Sequence, residues 1–230
     1  MLTHYELDEP IEFKDGSINV LIIENPSFMT KMIGEIWGQS NNEEGGFELF
    51  ENEKSLTFTN NVELIVNPFS ADVNERDLLT KLYAEMKKDA LDEELFMSTN
   101  TFLSEIEKNV REIMERQKLL LESETPDVVG LFKLLGVHFS VSNSLVERMC
   151  DYIDICSEYR KTKLFIFVNL KSFLTESEII QLYIHSTYLK KPILLIENRQ
   201  LPRLDYEIMR VIDLNLCEIP ISDAKDNDIY

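Results

Sequence analysis

The chain has 230 residues, enough to bury one substantial core with a large insertion, and a formal net charge of −19 that argues against a protein coating nucleic acid with a basic domain. Its 44% hydrophobic content is that of a globular protein, no run approaches the roughly 20 apolar residues that span a bilayer, and the first residues, MLTHYELDEP, lack a secretory signal, so a cytoplasmic protein without a membrane association is expected. Cys150, Cys156 and Cys217 are too few for a disulfide framework, and His4, His138 and His185 show no zinc-ligand spacing.

The first 70 residues read as β-rich. Strands are predicted at Glu6 to Phe13, Ile18 to Ile23, Phe47 to Glu51, Ser55 to Thr59 and Val62 to Val66, with turns at Asp15-Gly16, Gly45-Gly46 and Asn60-Asn61 and one helix near Phe28 to Trp37. After Asn67-Pro68 the period becomes helical. Asp72 and Glu75 suggest a capping box for a helix reaching about Phe96, and the STNT stretch at 98–101 restarts a second helix to Leu121, the pair forming an antiparallel hairpin. Thr125, Pro126 and Gly136 delimit a shorter helix as cap, first-turn proline and C′ glycine. Ser144 and Glu147 cap another to about Tyr159, and a frayed tail is expected after Ser222. Between the continuous apolar runs Leu164 to Val168 and Ile193 to Ile196, Thr175 and Glu178 open a helix whose inward stripe is Ile179, Leu182, Tyr183 and Tyr188. This is a right-handed βαβ unit with two doubly buried parallel strands.

That unit has the build of a nucleotide-binding core without the groups that hold a nucleotide. The strand from Leu164 runs out in Asn169, Leu170 and Lys171, where an ATPase would place its Mg²⁺ carboxylate. After the strand INVLII, the chain reads ENPSFMTKMIGEI, with Phe28 and Met29 where glycines are needed for consecutive backbone N–H groups to face one concavity; Lys31 there reads as an ordinary helix-surface lysine. There is no nucleophile elbow, no H-E-x-x-H and no C-x-x-C.

On the helix from Thr101, Leu103, Ile106, Val110, Ile113, Met114, Leu120 and Leu121 share one face. The opposite face mixes Lys108, Arg111, Arg116 and Lys118 with glutamates, which also fits a solvated surface laced by pairs such as Glu107 with Arg111 and Glu112 with Arg116, each worth about 0.2–0.5 kcal/mol. Glu112, Glu115, Glu122, Glu124 and Asp127 form one acidic constellation. Glu115 and Glu122 are expected on one helix face, with Glu124 and Asp127 brought round beside them, a set of oxygens that suits Ca²⁺ better than zinc.

The phrases LDEPIEF (7–13), INVLIIEN (18–25), GLFKLLGVHF (130–139) and TKLFIFVNLKSFLTESEIIQLY (162–183) resemble, in order and spacing, the short form of the type II-A CRISPR-associated spacer-acquisition protein. The resemblance implies an α/β fold: an ATPase-like head with a parallel βαβ core lacking the phosphate loop, over 1–72 and 137–230, and an α-helical leg inserted at 73–136. It also implies a homotetrameric ring organised by Ca²⁺ that threads double-stranded DNA ends through a lysine-lined hole, without catalysis, and works with the integrase and effector nuclease of the same locus. Under it the acidic constellation becomes the Ca²⁺ ligand set, and Lys87, Lys88, Lys108, Arg111, Arg116, Lys118 and Lys133, on the leg and its base, become the DNA contacts. Two other readings stay open: a divergent NTPase or nuclease of the same locus, and an acidic protein that binds only proteins or mimics DNA.

Overall fold

The computed structural model describes residues 1–221, so the tail after Ser222 lies outside the described residues. Strand β1 (Leu2–His4) precedes β2 (Ile18–Ile23), all six of whose residues are buried. Helix α1 (Pro26–Ser40) leads into β3 (Phe47–Glu51) and β4 (Lys54–Leu56), and the short α2 (Phe58–Asn61) into β5 (Val62–Ile65). Next come α3 (Arg76–Ala90), α4 (Phe96–Met114), α5 (Val128–Leu134) and α6 (Leu145–Ile155), the last extended by a π-turn over Cys156–Arg160. Strand β6 (Leu164–Val168), α7 (Glu176–Leu189), β7 (Ile193–Glu197), β8 (Glu207–Ile212) and β9 (Glu218–Ile221) complete the order.

The strands β5-β6-β7-β2-β8-β9 form one sheet, parallel throughout except for the antiparallel β9. A small antiparallel sheet, β1-β3-β4, is separate. Continuous apolar runs make β2, β6 and β7 strands of a parallel sheet because both faces are covered. Leu164, Ile166, Val168, Leu194 and Ile196 pack with Met32 and Ile36 of α1 and with Phe47 and Phe58. The alternate residues Phe165, Phe167, Ile193 and Leu195 are equally buried, so the sheet is covered on its other face as well. Thr175 closes the expected capping box on α7, accepting from Glu178 N while its own N–H donates to Glu178 Oε2 at 2.8 Å.

The chain divides into two compact units, Met1–Val73 with the chain from Val141 onward, and Asn74–Ser140. The second unit has its own fastening. Asn74 donates to Phe139 O and accepts from Phe139 N, at 3.1 and 2.9 Å, and Tyr83 Oη donates to Val137 O at 2.8 Å.

Several expectations are corrected. Glu6 to Phe13 is not a strand: Leu7 N turns back onto His4 O, Pro10 has no N–H to give a ladder, and pairing survives as an isolated bridge from Leu2 to Ile11. The Ser55 to Thr59 strand stops at Leu56, because Thr57 becomes the N-cap of α2. The first leg helix ends at Ala90, not Phe96, and the second begins at Phe96, not in the STNT stretch, because Asp92 Oδ1 takes the Glu94 and Leu95 N–H groups and restarts the chain there. The N-cap of α3 is Glu75, three residues beyond the Asp72 expected in that role, and its side chain makes no capping bond. The second helix ends at Met114, seven residues before Leu121. Leu119 to Leu121 continue the apolar period, but Leu120 is 95% exposed, and helical propensity without a covered face does not sustain the turn. Pro126 lies just outside α5, whose cap is Asp127, while Gly136 takes the left-handed φ of +63° expected of a C′ glycine. Tyr188 of α7 is 84% exposed and is no part of the inward stripe.

Candidate nucleic-acid interface

At the carboxyl edge of the parallel sheet, where α/β proteins hold nucleotides, this chain has filled the anion position with its own side chain. Asn25 caps α1, its Oδ1 accepting from Ser27 N at 3.0 Å and Phe28 N at 3.1 Å while its Nδ2 donates to Leu214 O. Pro26 contributes no N–H. Lys31 is tied to Glu6 and lies over the Tyr5 ring, 5.2 Å from its centroid. After β6, Asn169 turns left-handed at φ 53° and accepts from Asn198 N, and Lys171 N donates to Glu197 Oε1 at 3.1 Å.

Beneath this edge lies a buried polar set that sequence reading missed. Lys171 Nζ stands 2.5 Å from Glu207 Oε1, with side chains 4% and 0% exposed, and no other acceptor satisfies it among the described residues. Glu207 also accepts from Tyr183 Oη at 2.6 Å and Leu204 N at 3.0 Å. Burial pushes the Glu197 carboxyl up to about 7, against the opposing pull of the Lys171 N–H. The folded state therefore holds this proton more tightly than the unfolded chain. Its contribution falls as pH rises from the unfolded value of 4.5 through about 7. Replacing Glu197 with Gln should remove that slope. Relative to the parent, the variant should gain about 2 kcal/mol between pH 5.5 and pH 8, read from urea melts. A difference that does not change with pH would show that Glu197 titrates normally.

The second unit carries the residues singled out in the sequence. Lys87 and Lys88 end α3, Lys108, Arg111 and Glu112 lie on α4, and Glu115 caps its C-terminus. Arg116, Lys118, Glu122 and Glu124 follow in the non-helical segment before Asp127, and Lys133 ends α5. Helix α3 packs against α5, and the fields of Lys87 and Lys133 both reach Asp127. Asp127 is held below its usual range first by the Gly130 N–H, at 3.0 Å, then by Val129 N at 2.8 Å, with Lys87 and Lys133 adding their fields. Glu107 pairs with Arg111 at 2.6 Å as expected, and Lys88 pairs with Glu85 at 2.8 Å. The pair Glu112 with Arg116 is not among the ion pairs of the described residues, since Arg116 lies past the helix. Glu115 and Glu122 do not share a helix face, because the helix ends at Met114, before both. Among the described residues of one chain, no three His, Cys, Asp or Glu side chains converge as a metal site, and Asp127 Oδ1 is already spent on its cap. Within one chain, then, these carboxylates do not converge on a common point among the described residues.

Helix α4 leaves its apolar face only partly covered within the chain, with Leu103 and Ile106 half-buried and Val110 and Ile113 exposed. None of its 19 residues is buried, although Leu103, Ile106, Val110 and Ile113 line one side. Among the described residues no helix is long and apolar enough to cross a membrane.

Comparison with known proteins bears on this arrangement. The chain is 25% identical over 203 residues to the CRISPR-associated protein Csn2 of Streptococcus agalactiae, covering 85% of this chain and 87% of that one. It is 21% identical over 196 residues to the protein of the same name from Enterococcus faecalis, covering 84% and 87%. Among solved structures, an ATP-binding cassette of an ABC transporter in its ADP conformation is 13% identical, with a TM-score of 0.42 over 87% of this chain and 78% of that chain. The model of the family described as CRISPR-associated protein (Cas_Csn2) matches residues 39–216. That span takes in most of the parallel sheet and the whole of the second unit, and the chain belongs to the Cas_Csn2 family of CRISPR-associated proteins.

Proposed function

We propose that this protein is a non-catalytic, Ca²⁺-dependent, sequence-independent binder of double-stranded DNA ends that works as a homotetrameric ring in CRISPR spacer acquisition and antiviral defence, alongside the integrase and effector nuclease of its locus. The observation that carries the reading is α4, a 19-residue amphipathic helix with no buried residue, an apolar face only partly covered, and Lys108 and Arg111 on its charged side. A helix of this kind is covered by other copies in a closed assembly, which also gathers cations from several subunits around one passage. Closure supplies what the acidic constellation lacks in one chain, since carboxylates from two copies reach the oxygen count Ca²⁺ takes. The NTPase reading is disfavoured by the Asn25 cap, which occupies the N–H groups a phosphate would need.

Light scattering tests the assembly. At micromolar concentration the mass should be that of four chains in Ca²⁺ and should fall when the ion is chelated. Ile113 is 53% exposed, so Ile113→Asp should leave the subunit folded and yet drop the mass. A monomer in Ca²⁺ would sink the ring, as would an Ile113→Asp protein that stays tetrameric.

A further inference from the structure

The outer surface of α6 and α7 takes no part in the functions discussed above. Helix α7 is apolar on both sides: Ile179, Leu182 and Tyr183 are buried beneath it, while Ile184 is 54% exposed and Tyr188 84% exposed. With Gln181, these two fall at i, i+3 and i+7 along the outward face. From Ile179 to Leu189 there is no Asp, Glu, Lys or Arg, in a chain that is 28% charged. A helix apolar all round is ordinarily covered.

Alongside it, α6 and its π-turn present Glu147, Asp151, Asp154 and Glu158, a single acidic row at i, i+4, i+7 and i+11. The two helices are bridged by His185 Nε2 and Asp154 Oδ1 at 2.8 Å. Among the described residues, His185 and Lys161 are the cationic side chains within ion-pair distance of the row, Lys161 reaching Glu158 at 3.0 Å. Asp151 accepts from Ser142 Oγ.

We infer that this paired ridge is a docking surface for a basic amphipathic helix of a partner protein. The side-by-side helices set an apolar ridge beside an acidic one, a surface against which an amphipathic helix can lay its apolar and its basic side. Tyr188 supplies the large anchor typical of an energetic centre, and the acidic row selects a cationic partner and speeds its approach. A second copy of this chain, itself at −19, is the poorer electrostatic match. The inference is independent of the DNA-binding reading, since no leg residue enters it.

The test uses the full-length protein and a fluorescent amphipathic helical peptide of Leu and Lys, with a Leu and Glu peptide of the same spacing as control, followed by anisotropy. The Leu–Lys peptide should bind and the Leu–Glu peptide should not. Ile184→Ser with Tyr188→Ser should weaken binding at least 10-fold, and Glu147→Gln with Asp154→Asn should weaken it several-fold at low salt. Glu43→Gln and Leu134→Ser, on exposed residues elsewhere, should leave it unchanged. Unaltered melting temperatures exclude unfolding as the cause. Equal binding of both peptides would overturn the proposal, as would equal losses in the control variants or no loss in the α7 variant. A fall in oligomer mass caused by Tyr188→Ser would overturn it too, because the face would then belong to another copy.

Discussion

Linear duplex DNA should bind this protein in Ca²⁺ at moderate salt, and a covalently closed circle of the same sequence should not. The expectation follows from the proposed ring, which admits duplex only from an end. It is joined to a second one, because no base-reading motif is present and binding through phosphates responds to salt and not to sequence. Lys87 and Lys133, whose fields both reach Asp127, are the cations to test first. Changing either to Ala should weaken all sequences alike and flatten the plot of log affinity against log salt by about 0.9 for each phosphate no longer neutralised. Gel shifts of matched linear and closed fragments give the result directly. Equal binding of both topologies would remove threading and leave a surface-bound mode.

The largest effect on stability is expected at Glu207. Its carboxylate neutralises Lys171 in a site with almost no solvent and also satisfies the Tyr183 hydroxyl and the Leu204 N–H. Removing one member of a buried pair strands the other's charge, which costs about 3–5 kcal/mol, whereas removing both costs far less. Glu207→Ala should therefore lower the melting temperature by about 10 °C. Lys171→Met combined with Glu207→Gln should recover most of the loss, because an amide can still meet the Tyr183 hydroxyl. A single variant that melts with the parent would show that water reaches the pair.

How much of this was legible in the sequence depends on what fixed each element. The doubly buried strands from Ile18, Leu164 and Ile193 were plain because burial on both faces leaves an unbroken apolar run, and the Thr175 box because its partners are three residues apart. Local competition was harder to see. Asp92 and the STNT stretch both offer caps, and the ring of bonds that Asp92 makes wins, while Ser98 and Thr101 fold back onto carbonyls of their own helix. The alternating EIMRVI of β8 was passed over, as was Glu207 at its start, whose role depends on Lys171 and Tyr183, distant in sequence. The shared helix face expected for Glu115 and Glu122 failed for a physical reason. Helical spacing put Glu115 and Glu122 together, but the apolar residues between them have nothing to pack on in the subunit, and the helix stops.

The bonds between Asn74 and Phe139 bear on the order in which the chain acquires its structure. Strands β5 and β6 are neighbours in the sheet, with Val62 opposite Leu164, so their pairing closes a loop of about 100 residues. If the second unit folds first, the two bonds at its base join residues 74 and 139 in advance, and the open chain left to close is about 40 residues. That shortening reduces the entropy of closure by about 1 kcal/mol, charged to a unit whose interactions are local and therefore quick to form. An insertion that would otherwise delay the sheet thus becomes a preassembled clasp, and the parallel strands on either side of it can meet almost as readily as if the insertion were a short loop.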